Sequence, residues 1–244
     1  AIIYTNYFSS YVDKGKLPNI TLLVARNNEI AHLSSQGYSS VESKKPIQNN
    51  SIYRFYSMTK PITSVAIMML YEKGLLRLEH EVSRYLPEFK DVKVWDEGTI
   101  DNYKVRSPSQ PMLIKDLLTH TSGLTYGFMT GHPVIKLYNT SGIASAKNPE
   151  TKKEMDLEEF SHTASSLPLL FDPGSKWHYS ISIDILGRVI EVISGDTFDN
   201  FLKKYIFNPL NMVDTDFFVP EEKHERFVDC YQELVSKTGN KLKR

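Results

Sequence analysis

The chain has 244 residues, 41% of them hydrophobic, so it can bury a sizeable core in one domain or two closely joined lobes. Its 29 basic and 29 acidic residues balance to a net charge of zero, which gives no indication of a nucleic-acid partner or an anionic membrane surface. No apolar run reaches the length of a membrane span. The single cysteine, Cys230, excludes an internal disulfide and does not specify the cellular compartment. The cytoplasm is slightly favoured, and the periplasm is the alternative.

The first part of the chain is predicted to form a short helix and then a β-hairpin. Aromatic and aliphatic residues between positions 4 and 12 recur at helical spacing, and this pattern stops near Gly15. Two apolar-rich runs, 20–26 and 29–34, are joined at Asn27-Asn28, a pair typical of a tight hairpin turn. A further helix is predicted over 59–73, where apolar residues cover a wide face.

The remainder is predicted to be mainly helical, with long loops between the helices. In chain order we expect a segment at 82–89, a polar loop with short extended pieces at 91–112, a short helix at 113–118, a long loop at 125–155, and helices at 156–165, 183–193 and 198–205. Strands at the start and helices in the middle predict an α/β (α+β) fold with an inserted helical lobe.

The most informative motif is Ser57-Met58-Thr59-Lys60, which lies where an extended run gives way to the helix at 59–73. A serine followed three residues later by a lysine places the hydroxyl and the amine on one helix face, about one turn apart. A serine nucleophile needs this arrangement if a neutral lysine is to take its proton. The motif alone is common, so its surroundings decide its meaning.

Four stretches of the sequence, one of them around Ser57, together resemble a known family. They are RFYSMTKPITSVA at 54–66, LLTHTSGL at 117–124, FDPGSKWHYS at 171–180, and LGRVIE at 186–191 followed by Gly195. Together they resemble the serine β-lactamase / penicillin-binding-protein superfamily, and in particular the class C β-lactamase-like branch that includes the family VIII carboxylesterases. The resemblance runs from about residue 11 to about residue 218.

The resemblance implies a β-lactamase/transpeptidase-like fold, in which an antiparallel sheet is flanked by helices and carries an inserted helical lobe. In that fold the sheet is completed by C-terminal strands, which we expect to be absent from this chain. We therefore interpret 1–80 as the N-terminal part of the α/β domain with the nucleophile helix, 81–218 as a mainly helical lobe with long loops, and 219–244 as a connection towards a missing C-terminal part.

The resemblance also implies catalytic roles for Ser57, Lys60 and Tyr179: a nucleophile and a shared general base. The family's Tyr-x-Asn motif is Tyr179-Ser180-Ile181 here, and the apolar third residue favours ester hydrolysis over β-lactam turnover. A free lysine has a pKa of about 10.4, so Lys60 needs either burial that lowers its pKa or a tyrosinate partner. The Ser57 backbone N–H is expected to be one hydrogen-bond donor to the oxyanion. The second donor is expected to come from a strand outside this sequence.

Further candidates for the site lie in the predicted loops. Tyr126, Phe128 and Tyr138 lie in the predicted long loop and are candidates for lining a substrate pocket. His120 and Ser122 are interpreted as hydrogen-bonding residues of a turn, because no Gly-x-Ser-x-Gly elbow surrounds Ser122. No His/Cys/Asp cluster has zinc-ligand spacing, so neither a metal nor another cofactor is expected.

Lys237-Thr238-Gly239 has the letters of the family's third active-site motif, but no apolar strand leads into it. We interpret it as a helix end followed by a turn, and leave it out of the site. The predicted function is a serine hydrolase that cleaves a small-molecule carboxylic ester through an acyl-enzyme on Ser57. The alternatives are a β-lactamase or D-alanyl-D-alanine peptidase acting on a β-lactam-like substrate, and a non-catalytic scaffold. The sequence does not specify an oligomeric state.

Overall fold

The computed structural model describes residues 2–236 and 239–243. Contacts group the chain into two compact units, a first unit of residues 1–56 with 214–244 and a second unit of residues 57–213. The division into 1–80, 81–218 and 219–244 stays a prediction.

The helices and strands are α1 (Ile2–Asp13), β1 (Asn19–Arg26), β2 (Glu29–Ser40), β3 (Lys45–Pro46), α2 (Thr59–Glu72), β4 (Val94–Thr99), β5 (Asn102–Arg106), α3 (Ile114–Leu118), α4 (Val134–Thr140), α5 (Leu157–Ser166), α6 (Ser182–Ser194), α7 (Phe198–Leu202), β6 (Gln232–Ser236) and β7 (Gly239–Lys243). Short 3-10 turns occur at Tyr56–Met58, Val82–Arg84, Pro87–Phe89, Ile143–Ser145 and Glu221–Arg226, and α7 continues as a π-helical segment, Lys203–Phe207. The described sheets, β1-β2-β3, β4-β5 and β6-β7, are all antiparallel. This combination confirms the predicted α+β class.

The predicted hairpin at the start of the first unit is confirmed. Asn27 and Asn28 have φ angles of 52° and 62°, the left-handed conformation that a two-residue type I′ turn requires and that asparagine tolerates. Pairing continues from Arg26 opposite Glu29 to Asn19 opposite Gly37. Gly37 has a φ of 94°, and a Cβ there would lie 2.3 Å from the carbonyl oxygen of Pro18, so only glycine fits.

The end of the first unit differs from the prediction. In place of a helix end, β6 and β7 form an antiparallel pair in which Gln232 lies opposite Lys243 and Ser236 opposite Gly239. The strands satisfy each other's backbone groups, which the polar composition of this stretch does not reveal. Lys237 and Thr238, the first two residues of the Lys-Thr-Gly sequence, lie outside the described residues.

The second unit is built around α2 and α6, which pack against each other. Both helices bury their apolar faces in one continuous core, to which α2 contributes Ala66, Ile67 and Leu70. α5 also packs on α6, and it begins where the Asp156 side chain accepts a hydrogen bond of 2.8 Å from the Glu159 backbone N–H. The start of α6 is therefore held in the core, and Tyr179 lies three residues before it.

Two predicted loops contain regular structure. The stretch 91–112 holds the β4-β5 hairpin, in which Trp95 stacks on Tyr103 with ring centroids 4.7 Å apart. The stretch 125–155 holds α4 and the 3-10 turn Ile143–Ser145. α4 has only seven residues, too short for its period to stand out, and its burial in the core stabilises it.

Within the described residues, no helix combines the length and the apolar character needed to cross a membrane.

Candidate active site

Ser57 lies in the 3-10 turn Tyr56–Met58 that leads into α2, and Lys60 lies in the first turn of that helix. Ser57 is exposed and Lys60 is partly buried. The three-residue spacing therefore gives the arrangement expected from the sequence: an accessible hydroxyl with an amine one turn deeper.

Tyr179 meets Ser57 directly, because the hydroxyl oxygens of the two side chains are 2.6 Å apart and share a hydrogen bond. The Lys60 Nζ lies 4.9 Å from the centroid of the Tyr179 ring. The structure thus brings together the three residues to which the sequence analysis assigned catalytic roles.

The hydrogen bonds of Lys60 continue to two residues outside the predicted triad. Its Nζ donates to the Tyr126 hydroxyl at 2.9 Å, and that hydroxyl in turn donates to the Asp184 carboxylate at 3.4 Å. Tyr126 was predicted as a pocket residue, which stays a prediction, and its hydroxyl accepts a hydrogen bond from Lys60. Asp184 was not predicted at all. Its place two residues into α6, five residues after Tyr179, was the available signal, because an acid in a first helical turn can also face a site.

Of the two alternatives expected for Lys60, a pKa lowered by burial is not what the structure shows. Burial of the amine acts to lower its pKa, but the hydrogen bonds to Tyr126 and Tyr179 and the negative charge of Asp184 outweigh burial and raise the pKa above the usual value. Lys60 is therefore an ammonium group at neutral pH. The reason for the difference is that the hydroxyls and the carboxylate come from distant parts of the chain.

The pKa of Tyr179 is shifted in the opposite direction. Burial acts to raise it, but the hydrogen bonds with Ser57 and Lys60 and the positive charge of Lys60 lower the pKa below the usual value of 10.0. By contrast, burial and the charge of Asp184 raise the pKa of Tyr126 to about 12, despite the opposing effect of Lys60. The two tyrosines beside the lysine are thus electrostatically distinct, and Tyr179 is the one that ionises more readily.

Asp184 retains solvent contact, although the protein atoms around its carboxylate raise its pKa. The charge of Lys60 and the Tyr126 hydroxyl act in the opposite direction and favour the carboxylate form. Asp184 therefore stabilises the Lys60 ammonium through the Tyr126 hydroxyl and through its charge.

Of the predicted pocket residues, Phe128 lies at the site and Tyr138 does not. The Phe128 ring is 68% exposed and stacks on Tyr126 with centroids 4.7 Å apart. Tyr138 is fully buried in the core on α4. Trp177, which was not predicted, is another aromatic residue of this region, with 69% of its surface exposed. Phe128 and Trp177 thus offer accessible apolar surface.

His120 and Ser122 take part in hydrogen bonds after α3, as interpreted from the sequence, and Ser122 is completely buried. Its hydroxyl lies 2.7 Å from that of Ser182, away from solvent, so it is not an alternative nucleophile in this structure. Among the residues that the structure describes, no three His, Cys, Asp or Glu side chains are grouped so that they could hold a metal ion.

Comparisons with known proteins identify the family and the fold of the chain. The family model described as Beta-lactamase matches residues 5–241. Esterase EstB from Burkholderia gladioli is 32% identical over 227 residues, which covers 93% of this chain and 53% of EstB. The solved structure of EstCE1, described as a hydrolase with promiscuous acyltransferase activity, has a TM-score of 0.80 and 26% identity, covering 98% of this chain and 58% of EstCE1.

Unliganded simvastatin synthase LovD from Aspergillus terreus has a TM-score of 0.79 and 26% identity, covering 99% of this chain and 59% of LovD. The chain spans about half the length of the curated relatives it matches. The matches confirm the β-lactamase/transpeptidase-like fold expected from the four sequence motifs. With its matching motifs, its fold and a family model that spans nearly all of its length, the chain belongs to the Beta-lactamase family.

Proposed function

We propose that the protein is a serine hydrolase that cleaves small-molecule carboxylic esters through an acyl-enzyme on Ser57. The observation that carries the proposal is the 2.6 Å hydrogen bond between Ser57 and Tyr179, the tyrosine with the lowered pKa. A base in direct contact with an exposed hydroxyl is the requirement for activating a serine. The similarity to EstB and EstCE1, which are described as an esterase and a hydrolase, supports the ester as substrate class.

In the first step Tyr179, as the phenolate, takes the proton of Ser57 while the serine oxygen attacks the ester carbonyl. Lys60 stays protonated and stabilises the phenolate electrostatically before the transfer. The backbone N–H of Ser57, next to the start of α2, is a donor for the developing oxyanion. Tyr179 then returns the proton to the leaving alkoxide, and the acyl group remains on Ser57.

In the second step Tyr179 takes a proton from water as the water oxygen attacks the acyl-enzyme. Tyr179 then returns this proton to the leaving Ser57 oxygen, which releases the acid and restores the phenolate. An alcohol in place of water would give acyl transfer with the same proton movements. The description of EstCE1 as a hydrolase with acyltransferase activity supports acyl transfer to alcohols as a second candidate activity. The proportion of the two outcomes depends on how well an acceptor alcohol competes with water.

An ester is favoured over a β-lactam by the residue two positions after Tyr179. Ile181 is 1% exposed, so its side chain lies in the core and offers no polar group to a substrate amide. Phe128 and Trp177 offer exposed apolar surface in this region, which favours apolar acyl or alcohol groups. A β-lactamase or a D-alanyl-D-alanine peptidase therefore has less support than an esterase.

A fluorophosphonate probe tests the nucleophile in the full chain. We expect the probe to label Ser57, and Ser57→Ala to abolish both the labelling and the hydrolysis of p-nitrophenyl butyrate. Ser64→Ala, at a second serine of α2, is the matched control and should leave both unchanged. An adduct located on a different serine by mass spectrometry would contradict the assignment. Nitrocefin turnover comparable with ester turnover would instead favour the β-lactamase function.

A further inference from the structure

The backbone on both sides of Tyr179 is held by a single residue, His120. The His178 backbone N–H donates to the carbonyl oxygen of His120 at 2.8 Å, and the Ser180 backbone N–H donates to the His120 ring at Nδ1, at 3.3 Å. His178 and Ser180 are the immediate neighbours of Tyr179 in the chain. The centroid of the His120 ring lies 4.9 Å from that of the Tyr179 ring, so the histidine also contacts the side chain that it flanks.

The backbone conformation of His120 is unusual, because its φ angle is 57°. Only a few per cent of residues other than glycine adopt this left-handed conformation, and asparagine, aspartate and histidine do so most often. It directs the carbonyl oxygen and the ring of one residue to the two neighbours of Tyr179. Both the carbonyl oxygen and the ring of His120 accept hydrogen bonds, and these bonds stabilise the left-handed conformation.

A buried row of hydroxyls next to His120 is compatible with an Nδ1 that carries no proton. The Ser180 hydroxyl lies 3.2 Å from Nδ1, the Ser182 hydroxyl 2.7 Å from that of Ser180, and the Ser122 hydroxyl 2.7 Å from that of Ser182. The Leu124 backbone N–H donates to Ser122 at 3.1 Å, which leaves the Ser122 hydroxyl free to donate to Ser182 and continue the row towards Ser180 and the His120 ring. The three serines are fully buried, so water does not compete with this row.

The charge state of the ring fits this arrangement. Burial, and the nearby positive charges of Lys60 and His178, lower the pKa of His120 below its usual value of 6.5. The ring is therefore neutral at pH 7, with its proton on Nε2 and an acceptor at Nδ1. A neutral acceptor is what the Ser180 N–H needs.

We propose that His120 is a positioning residue that holds Tyr179 against Ser57 and Lys60 through its hydrogen bonds to the backbone of His178 and Ser180. This inference rests on the proposed function of Tyr179 as the base. His120 itself takes no part in proton transfer. Without the ring acceptor, the backbone after Tyr179 can shift, and the phenol loses the short contact with Ser57. A displacement of about 1 Å in a reacting group can reduce turnover by about 100-fold.

Two variants separate the ring acceptor from the backbone conformation. His120→Gly retains the backbone carbonyl and the left-handed φ angle, and it removes the acceptor. His120→Asn restores an acceptor oxygen close to the chain and tolerates the same φ angle. We expect His120→Gly to reduce kcat at least about 10-fold with KM changed less than about twofold, and His120→Asn to recover most of the loss. If His120→Gly does not fold, His120→Ala, which also lacks the acceptor and adopts the left-handed conformation at a small cost in stability, replaces it.

The decisive measurements are the pH profile of kcat/KM and the ultraviolet titration of Tyr179. Tyr179 displaced from Lys60 and Ser57 loses the interactions that lower its pKa, so the acid limb of the profile should move to higher pH in His120→Gly. The tyrosinate titration, measured as the difference from the corresponding Tyr179→Phe protein, should move in the same direction without any need for activity. His132→Ala, at another partly buried histidine of the second unit, should change neither.

The proposal would be overturned if kcat/KM of His120→Gly is lower at every pH while the acid limb and the tyrosinate titration stay unchanged. A general loss of folded enzyme gives this result. Full activity in Ser57→Ala would instead overturn the proposed function. The tyrosinate titration would still report whether His120 positions Tyr179.

Discussion

Ser57 and Tyr179 share a hydrogen bond of 2.6 Å although 122 positions separate them in the chain. Ser57 precedes α2 and Tyr179 precedes α6, and these two helices pack against each other in the core of the second unit. The contact between the two hydroxyls is therefore set by helix packing. Residues in the α2–α6 contact consequently affect the site without touching a substrate.

Lys60→Met and Tyr179→Phe are each expected to reduce kcat by about 10²- to 10⁴-fold, the range typical of a general base. Because the ammonium acts by stabilising the phenolate, the double variant should lose little more than the worse single variant. Steady-state kinetics of all four proteins, with Lys73→Met as a control for a lysine elsewhere on the second unit, measures this coupling. Independent, multiplicative losses would mean that the two residues act in separate steps.

The activity is expected to rise with pH as Tyr179 loses its proton. Since the pKa of Tyr179 lies below its usual value of 10.0, the acid limb of kcat/KM should also lie below 10. Lys60→Met removes the cation that lowers this pKa, so the limb should move to higher pH, while Lys60→Arg should move it less. An acid limb that stays in place in Lys60→Met would identify a different titrating base.

Tyr126→Phe and Tyr138→Phe remove one hydroxyl each from tyrosines of the second unit. The Tyr126 hydroxyl joins Lys60 to Asp184, so its removal should reduce kcat/KM by about 10-fold, consistent with the loss of a hydrogen bond to a charged group. The Tyr138 hydroxyl, buried in the core, should have no effect on kinetics. Equal kinetic losses in the two variants would show that the Tyr126 hydroxyl has no special role.

Asp172→Asn is expected to destabilise the fold at neutral pH. Both carboxylate oxygens accept hydrogen bonds from Arg106, at 2.8 and 2.6 Å, and the Ser109 backbone N–H donates at 2.7 Å. These bonds hold the pKa of Asp172 well below its usual range. The stabilisation is therefore complete above the unfolded pKa of about 3.9 and is lost as the pH falls towards the folded value.

Thermal unfolding at several pH values measures this effect. The difference in Tm between the wild type and Asp172→Asn should be largest near pH 7 and should shrink below about pH 4. Glu97→Gln, which breaks an exposed pair with Lys104, is the matched control and should change Tm little. A difference that is independent of pH would mean that the carboxylate charge is not the stabilising feature.

Local patterns predicted the parts of the fold and site that depend on neighbours in the chain. Asn27-Asn28 indicates the first hairpin because the turn itself requires a left-handed conformation. The spacing of Ser57 and Lys60 fixes their relative position because both lie at the start of one helix. The boundaries of α5 and α6 follow from their apolar periods and from Asp156.

Features that depend on distant residues could not be read in this way. Asp184 reaches Lys60 through Tyr126, which lies 58 positions away from it, so no local spacing identifies it. The direction of the Lys60 pKa depends on the same residues, and burial alone predicts the wrong sign. The β4-β5 hairpin has a polar, exposed β5, and its cross-strand contacts, such as Trp95 with Tyr103, are visible only after pairing.

The wide chain separations inside the site also have a kinetic consequence. Lys60 and Tyr126 are 66 positions apart, and Ser57 and Tyr179 are 122 apart, so these contacts form only after long loops have closed. Helices such as α2 form from local contacts on a much faster timescale. During refolding, helical circular dichroism should therefore return before covalent labelling of Ser57, and a partly folded chain will be helical but unreactive.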